Sequence, residues 1–252
     1  MKFCKAKLAG ALLLAFTFAA HAANDVPRLS NGKPDLNGIW ARPYVPDMAR
    51  SNDRNQFGPG ELPFSALGRE NFENYNASEG DYTGSCMPFG LMRAMNSPDP
   101  IQFMQTDTHF ALLYEQNTWF KVINLDGEDH DPGIPTWFGS TVADWEGDTL
   151  VLTTSNFNGK TRLDTLGHPH SHKLTVIEKY TRRDATTMDY EVTVDDPIYY
   201  TEPFTNRRVF TLQEDFELIE YSCEENNKSL FEGRINPPDY DNWHNYDPAD
   251  YE

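Results

Sequence analysis

Polar and apolar residues alternate over short runs through the second half of the chain. The runs at 101–105, 109–115, 118–123, 138–144, 149–154, 173–181, 188–194, 207–212 and 216–223 are rich in β-branched and aromatic residues. They are separated by turn signals such as Asp126-Gly127, Glu146-Gly147-Asp148 and Asn158-Gly159, the pattern of successive strands. Within 188–194, Met188, Tyr190, Val192 and Val194 face one way while Asp189, Glu191 and Thr193 face the other, as in a half-buried wall. No helical pattern of crossover length interrupts the runs, so antiparallel pairing follows. The expected fold is all-β, an antiparallel meander barrel.

The first part of the chain reads differently. Residues 1–22 have a basic end (Lys2, Lys5, Lys7), an apolar run and an Ala20-His21-Ala22 cleavage pattern, which reads as an export signal. Residues 23–100 hold a first strand around Gly38-Ile39-Trp40 and then a long stretch rich in Pro, Gly and Asn, with one short helix expected at 65–75. A stretch this long is expected to wrap or cap something. Its most apolar part, Cys86 to Arg93, reads as a lid or plug, with Arg93 a candidate contact for a substrate's anion or carbonyl. Residues 101–232 form the barrel core, and 233–252 an acidic tail carrying Tyr240, Trp243, Tyr246 and Tyr251.

Charge narrows the partners. The chain has 21 basic and 39 acidic residues, a net charge of −18. Losing the three lysines with the signal leaves 18 against 39, or −21. Such a surface repels nucleic acid and anionic lipid, and the apolar run of the signal is too short to span a membrane. A periplasmic or secreted location permits a disulfide between Cys86 and Cys223, the two cysteines that remain after export; two buried free thiols are the alternative.

The densest chemistry lies in residues 164–180, DTLGHPHSHKLTVIEKY. Leu174, Val176, Glu178 and Tyr180 share one face of an extended strand, so Glu178 points with the apolar residues into the barrel. Burial there raises a carboxyl's pKa and fits it for acid or base work near neutrality. His168 and His170 at the barrel mouth supply the complementary group, with Asp164 orienting one of them. A structural salt bridge from Glu178 to an inward Arg207 or to Arg182 is the alternative. The run of His168, His170 and His172 also has metal-site character, zinc being the cofactor implied in that case. Trp137, Tyr180 and Tyr190 are candidates to line a pocket for a flat apolar ligand. Asp195-Asp196-Pro197 reads as a turn closing a strand. There is no phosphate loop, no GxSxG and no HExxH, which argues against nucleotide enzymes, ordinary esterases and zinc proteases.

Gly38-x-Trp40, with Asp35 just before it, resembles the entry to the first strand of lipocalin-like barrels, which implies that Trp40 plugs the closed end. PDLNGIW (34–40), CMPFG (86–90), WEGDTLVLTTSNFN (145–158), GHPHSHKLTVIEKY (167–180), YEVTVDDP (190–197) and EYSCEENNK (220–228) together resemble a widespread family of exported, mostly uncharacterised bacterial proteins. That family implies no particular activity. From the residues themselves, the expected function is a cofactor-independent acid/base enzyme, of lyase or isomerase type, acting on a small apolar or aromatic compound in a barrel pocket. The alternatives are a non-catalytic carrier of a hydrophobic ligand and a histidine-based metal-binding protein.

Overall fold

The period-two pattern is realised as one antiparallel sheet: β1 (Gly38–Ala41), β2 (Gln56–Phe57), β3 (Ile101–Gln105), β4 (His109–Tyr114), β5 (Phe120–Asn124), β6 (Ser140–Glu146), β7 (Thr149–Ser155), β8 (Thr175–Arg182), β9 (Thr187–Asp195) and β10 (Phe204–Leu212). The structure is a computed structural model that describes residues 26–235 except 53, 78–80, 132 and 226. The expected export signal and the tail from residue 236 lie outside the described residues. The path runs β5-β4-β3-β1-β10-β9-β8-β7-β6, with β2 added against β10. Its ends, β5 and β6, approach each other, and the nine strands form a nearly closed barrel. The fold is thus the expected all-β antiparallel barrel.

Register sets what faces the interior. Glu178 lies opposite Val192, which lies opposite Asn206. One row further, Tyr180 lies opposite Tyr190, which lies opposite Arg208. These side chains, with Trp40, Phe103, Phe110 and Phe210, are buried. Trp40 is fully buried, its Nε1 donates to Leu36 O at 3.0 Å, and the Arg182 guanidinium lies 5.3 Å over its ring. Arg182 is therefore spent on the base of the barrel: its Nε donates to Asp184 O at 3.1 Å, and its two terminal nitrogens donate to Asp35 O and Ala185 O.

The stretch from 41 to 100 carries two helices. Helix α1 (Ala66–Glu73) begins where expected, its N-cap Ser65 Oγ accepting from Gly68 N and donating to Ile198 O, which satisfies a terminal donor of the helix and pins it to the β9–β10 connection. Helix α2 (Gly90–Asn96) was not expected. All seven of its residues are buried, so it has no polar face to generate an amphipathic period. It forms part of the plug that its apolar sequence suggests, with Met95 O accepting from Arg208 Nη1 at 3.0 Å inside the barrel.

One expected strand is absent. Residues 216–223 form no ladder, and Phe216, Ile219 and Tyr221 are exposed. The barrel path ends at β5 and β6 without them, so the segment is held by side chains instead, Ile219 N donating to Glu115 Oε2 and Cys223 N to Asn117 Oδ1. After it comes a short helix, α3 (Lys228–Phe231).

Cys86 and Cys223 are joined in a disulfide across 137 residues, with 5.5 Å between their Cα atoms. Restricting so long a loop in the unfolded chain stabilises the fold by about 5 kcal/mol at most. The double variant Cys86→Ser/Cys223→Ser is expected to unfold at clearly lower denaturant than the oxidised protein. Coincident unfolding curves would show that the bridge contributes nothing.

Candidate functional site

The loop between β7 and β8 places Asp164 and His168 at the barrel mouth. Asp164 is fully buried, and its carboxylate collects four hydrogen bonds. Met48 N donates to Oδ2 at 2.8 Å, Gly167 N and His168 N to Oδ1 at 3.1 and 3.2 Å, and His168 Nδ1 to Oδ2 at 2.6 Å. The imidazole is stacked on Phe72 of α1 with 4.6 Å between ring centroids and lies 5.8 Å from Phe64. Its Nε2 makes no hydrogen bond to a described residue. Phe64 also lines a surface groove of about 610 Å³ with Leu62, Pro63, Arg69 and Phe204, so one ring separates that groove from the imidazole.

Several contacts hold this loop still. Arg162 is buried, donates to Asn71 Oδ1 at 2.5 Å and lies 4.5 Å over the Tyr75 ring, tying α1 to the loop. Gly167 has a φ of +96°, and the Tyr75 ring occupies the place where a β-carbon would stand, so only glycine fits. Asp196 accepts from Ser171 N at 2.5 Å and Oγ at 3.0 Å, and from Ile198 N at 3.0 Å. The expected turn is therefore also the clamp on the histidine loop. Arg93 donates from Nη1 to Asp164 O at 3.2 Å and from Nη2 to Asp81 Oδ2 at 3.4 Å. Both terminal nitrogens of its guanidinium are engaged by the chain.

The histidines separate. His170 is buried with Nδ1 donating to Ser171 O at 3.0 Å and Nε2 accepting from Thr161 Oγ1 at 2.5 Å. Both ring nitrogens are used, and burial lowers its pKa, which keeps it neutral and structural. His172 is half-buried in the next turn. Among the described residues the one group of metal-ligand type is Asp47, Asp164 and His168, so the three imidazoles do not converge. In that group both Asp164 oxygens accept hydrogen bonds as above, while Asp47 accepts from Ala49 N at 2.9 Å and pairs with Arg50 at 2.9 Å.

Glu178 is 1% exposed, inside the barrel as its parity requires. Its Oε1 accepts from Tyr180 Oη at 2.7 Å and Tyr190 Oη at 2.9 Å. The expected partnership of Glu178 with a histidine does not form, because a tyrosine two residues along the same face and another across the register reach the carboxyl first. Neither alternative salt bridge forms: Arg207 faces outward and pairs with Glu191 at 2.6 Å, and Arg182 is on Trp40. Tyr180 and Tyr190 thus belong to the carboxyl's own shell. Trp137 lies half-buried in the loop before β6, outside the core cluster.

Two residues the sequence reading passed over connect these halves. Asn206 Nδ2 donates to Met48 O at 2.9 Å, and Arg208 Nε donates to Asn206 Oδ1 at 2.9 Å. The Arg208 guanidinium then lies 5.3 Å over the Tyr190 ring. A chain of polar contacts therefore runs from His168 through Asp164, the Met48 peptides, Asn206 and Arg208 to Tyr190 and Glu178. The signal was present: Phe204 and Phe210 share parity with Asn206 and Arg208, which puts Arg208, and not Arg207, inside.

The fold and site define an all-β barrel with an internal helical plug and a buried Asp-His pair at its mouth. No family model matches the chain and no curated protein matches it.

Burial raises the pKa of Glu178, opposed by hydrogen bonds from Tyr180 and Tyr190 and by the charge of Lys121. A carboxyl that holds its proton more tightly when folded stabilises the fold fully below its unfolded pKa, and that contribution is lost as pH rises through the folded value. The denaturation midpoint of wild type relative to Glu178→Gln is therefore expected to fall as pH is raised above the ordinary glutamate value of 4.5. A difference that stays flat over this range would show that Glu178 has an ordinary pKa.

Proposed function

We propose that the protein is a cofactor-independent acid/base catalyst, of lyase or isomerase type, acting on a small apolar or aromatic compound. The reading is carried by the Asp164–His168 pair. The carboxylate accepts a hydrogen bond from Nδ1–H at 2.6 Å, fixes the tautomer and leaves Nε2 to exchange a proton with a substrate. Phe64 and Phe72 give the imidazole apolar neighbours, which suits a substrate with a flat apolar body. Asp164 is a positioning residue in this scheme and His168 the proton carrier. Glu178 lies apart, in the barrel interior. The disulfide, together with the signal-like residues 1–22, supports action outside the cytoplasm.

Carriage of a hydrophobic ligand without turnover is the second reading, favoured by the aromatic interior of Phe103, Phe110, Tyr180, Tyr190 and Phe210. One experiment separates the two. The small molecule that co-purifies with the exported protein is identified by mass spectrometry, then incubated with wild type and His168→Gln in D2O. Catalysis predicts deuterium uptake or a new product with wild type, slowed about a hundredfold or more by the variant, while affinity stays similar. A compound returned unlabelled and unchanged by wild type would eliminate the enzyme and leave the carrier.

A further inference from the structure

Three cations, Arg42, Lys121 and Arg208, face the barrel interior. Arg42 and Arg208 are buried, and Lys121 reaches inward from β5 to donate to Phe138 O at 2.7 Å. Arg42 donates to Asp99 O at 2.9 Å and lies 5.7 Å over the Tyr114 ring. None of the three forms an ion pair with a described residue. Glu178 acts on both Lys121 and Arg208 and already accepts two phenol hydroxyls, while Asp164 also acts on Arg208 and Asp99 on Arg42. Arg208 is 1% exposed, and its Nη2 is buried with no hydrogen-bond partner among the described residues.

An enclosed guanidinium nitrogen without an acceptor is costly. Burial lowers the pKa of Lys121 to about 8 and of Arg42 to about 10, the response of cations taken out of water. Around them the walls are aromatic, Phe103 lying 5.0 Å from Phe110 and 5.4 Å from Tyr180. The Met95 sulfur lies 3.6 Å from both Arg42 Nη1 and Tyr114 Oη, and methionine is a side chain well able to move aside.

We infer that the barrel interior is a binding site for the carboxylate of a small aromatic acid, received by Arg208 Nη2, with Arg42 and Lys121 supplying counter-charge and the phenyl rings of the wall holding the body. The guanidinium fork suits a carboxylate. The inference rests on the barrel's binding a small molecule and does not require His168 to turn it over.

Cinnamate and its uncharged counterpart cinnamyl alcohol, titrated into the full exported protein at neutral pH by calorimetry, test it. Cinnamate is expected to bind one site per chain about tenfold or more tightly than the alcohol. Arg208→Gln is expected to abolish that preference, whereas His168→Gln keeps it, so failure of anion binding and failure of catalysis read out separately. Arg208→Lys retains the charge without the fork and is expected to hold cinnamate about tenfold more weakly than wild type, which keeps the test decisive if Arg208→Gln does not fold. Equal affinities for acid and alcohol, no binding of either, a preference that survives in Arg208→Gln, or an undiminished cinnamate affinity in Arg208→Lys would overturn the inference.

Discussion

The carboxylate of Asp164 is the point on which the barrel mouth depends. It sits with no exposure and takes protons from two segments far apart in sequence, the peptide of Met48 in the wrap and the backbone and ring of the histidine loop. Removing it would leave buried donors without an acceptor, at about 1 to 3 kcal/mol each. Because Met48 O in turn accepts from Asn206, the same carboxylate orders the wrap against β10. The position of His168 is thus a consequence of how the N-terminal stretch is tied down. The same acid that orients the imidazole secures the wall around it.

The plug follows from a related constraint. A nearly closed barrel wall must be filled, and here part of the filling is backbone: α2 brings a peptide carbonyl, Met95 O, into the interior. A buried helix end needs partners. Arg208 provides one, while Asn96 O accepts from Val45 N and the Asn96 side chain donates to Leu163 O. The cations of the interior therefore have a structural duty, holding helix and wall together, beside the binding role inferred for them. The two duties are compatible because Arg208 uses Nε and Nη1 for the first and leaves Nη2 for the second.

Much of this was legible in residue parity and little in residue identity. Alternation placed Glu178, Tyr180 and Tyr190 on one inner face, and turn signals marked most strands, because a wall wet on one side leaves period two in the sequence. Helix α2 left no such mark, since a segment buried all round has no polar face. The run 216–223 has strand composition but no place in the ladder, and composition does not report whether a neighbour with free backbone groups exists. Arg207 and Arg208 show how fine the margin is. They are adjacent and chemically identical, yet one carries a surface ion pair and the other a buried network, and only the phenylalanines at 204 and 210 distinguish them.

The partnership of the site was harder to read than its membership. Histidines and a glutamate separated by a few residues suggest one constellation, but pairing distances are decided by which polar group arrives first. For Glu178 the competitors are phenols on its own face and across the register, and a barrel interior offers them no other acceptor as strong. For His168 the competitor is a carboxylate four residues upstream in a loop bent by Gly167. Once each has its partner, the two can influence one another only through the groups between them, and the arginine on β10 stands in that position. An anion received there would change the charge felt by Glu178 on one side and by Asp164 on the other, both of which lie within the electrostatic reach of Arg208. The coupling of interior and mouth therefore runs through the adjoining Asn206 and Arg208 of β10, and it follows from the parity of β10 more than from any motif.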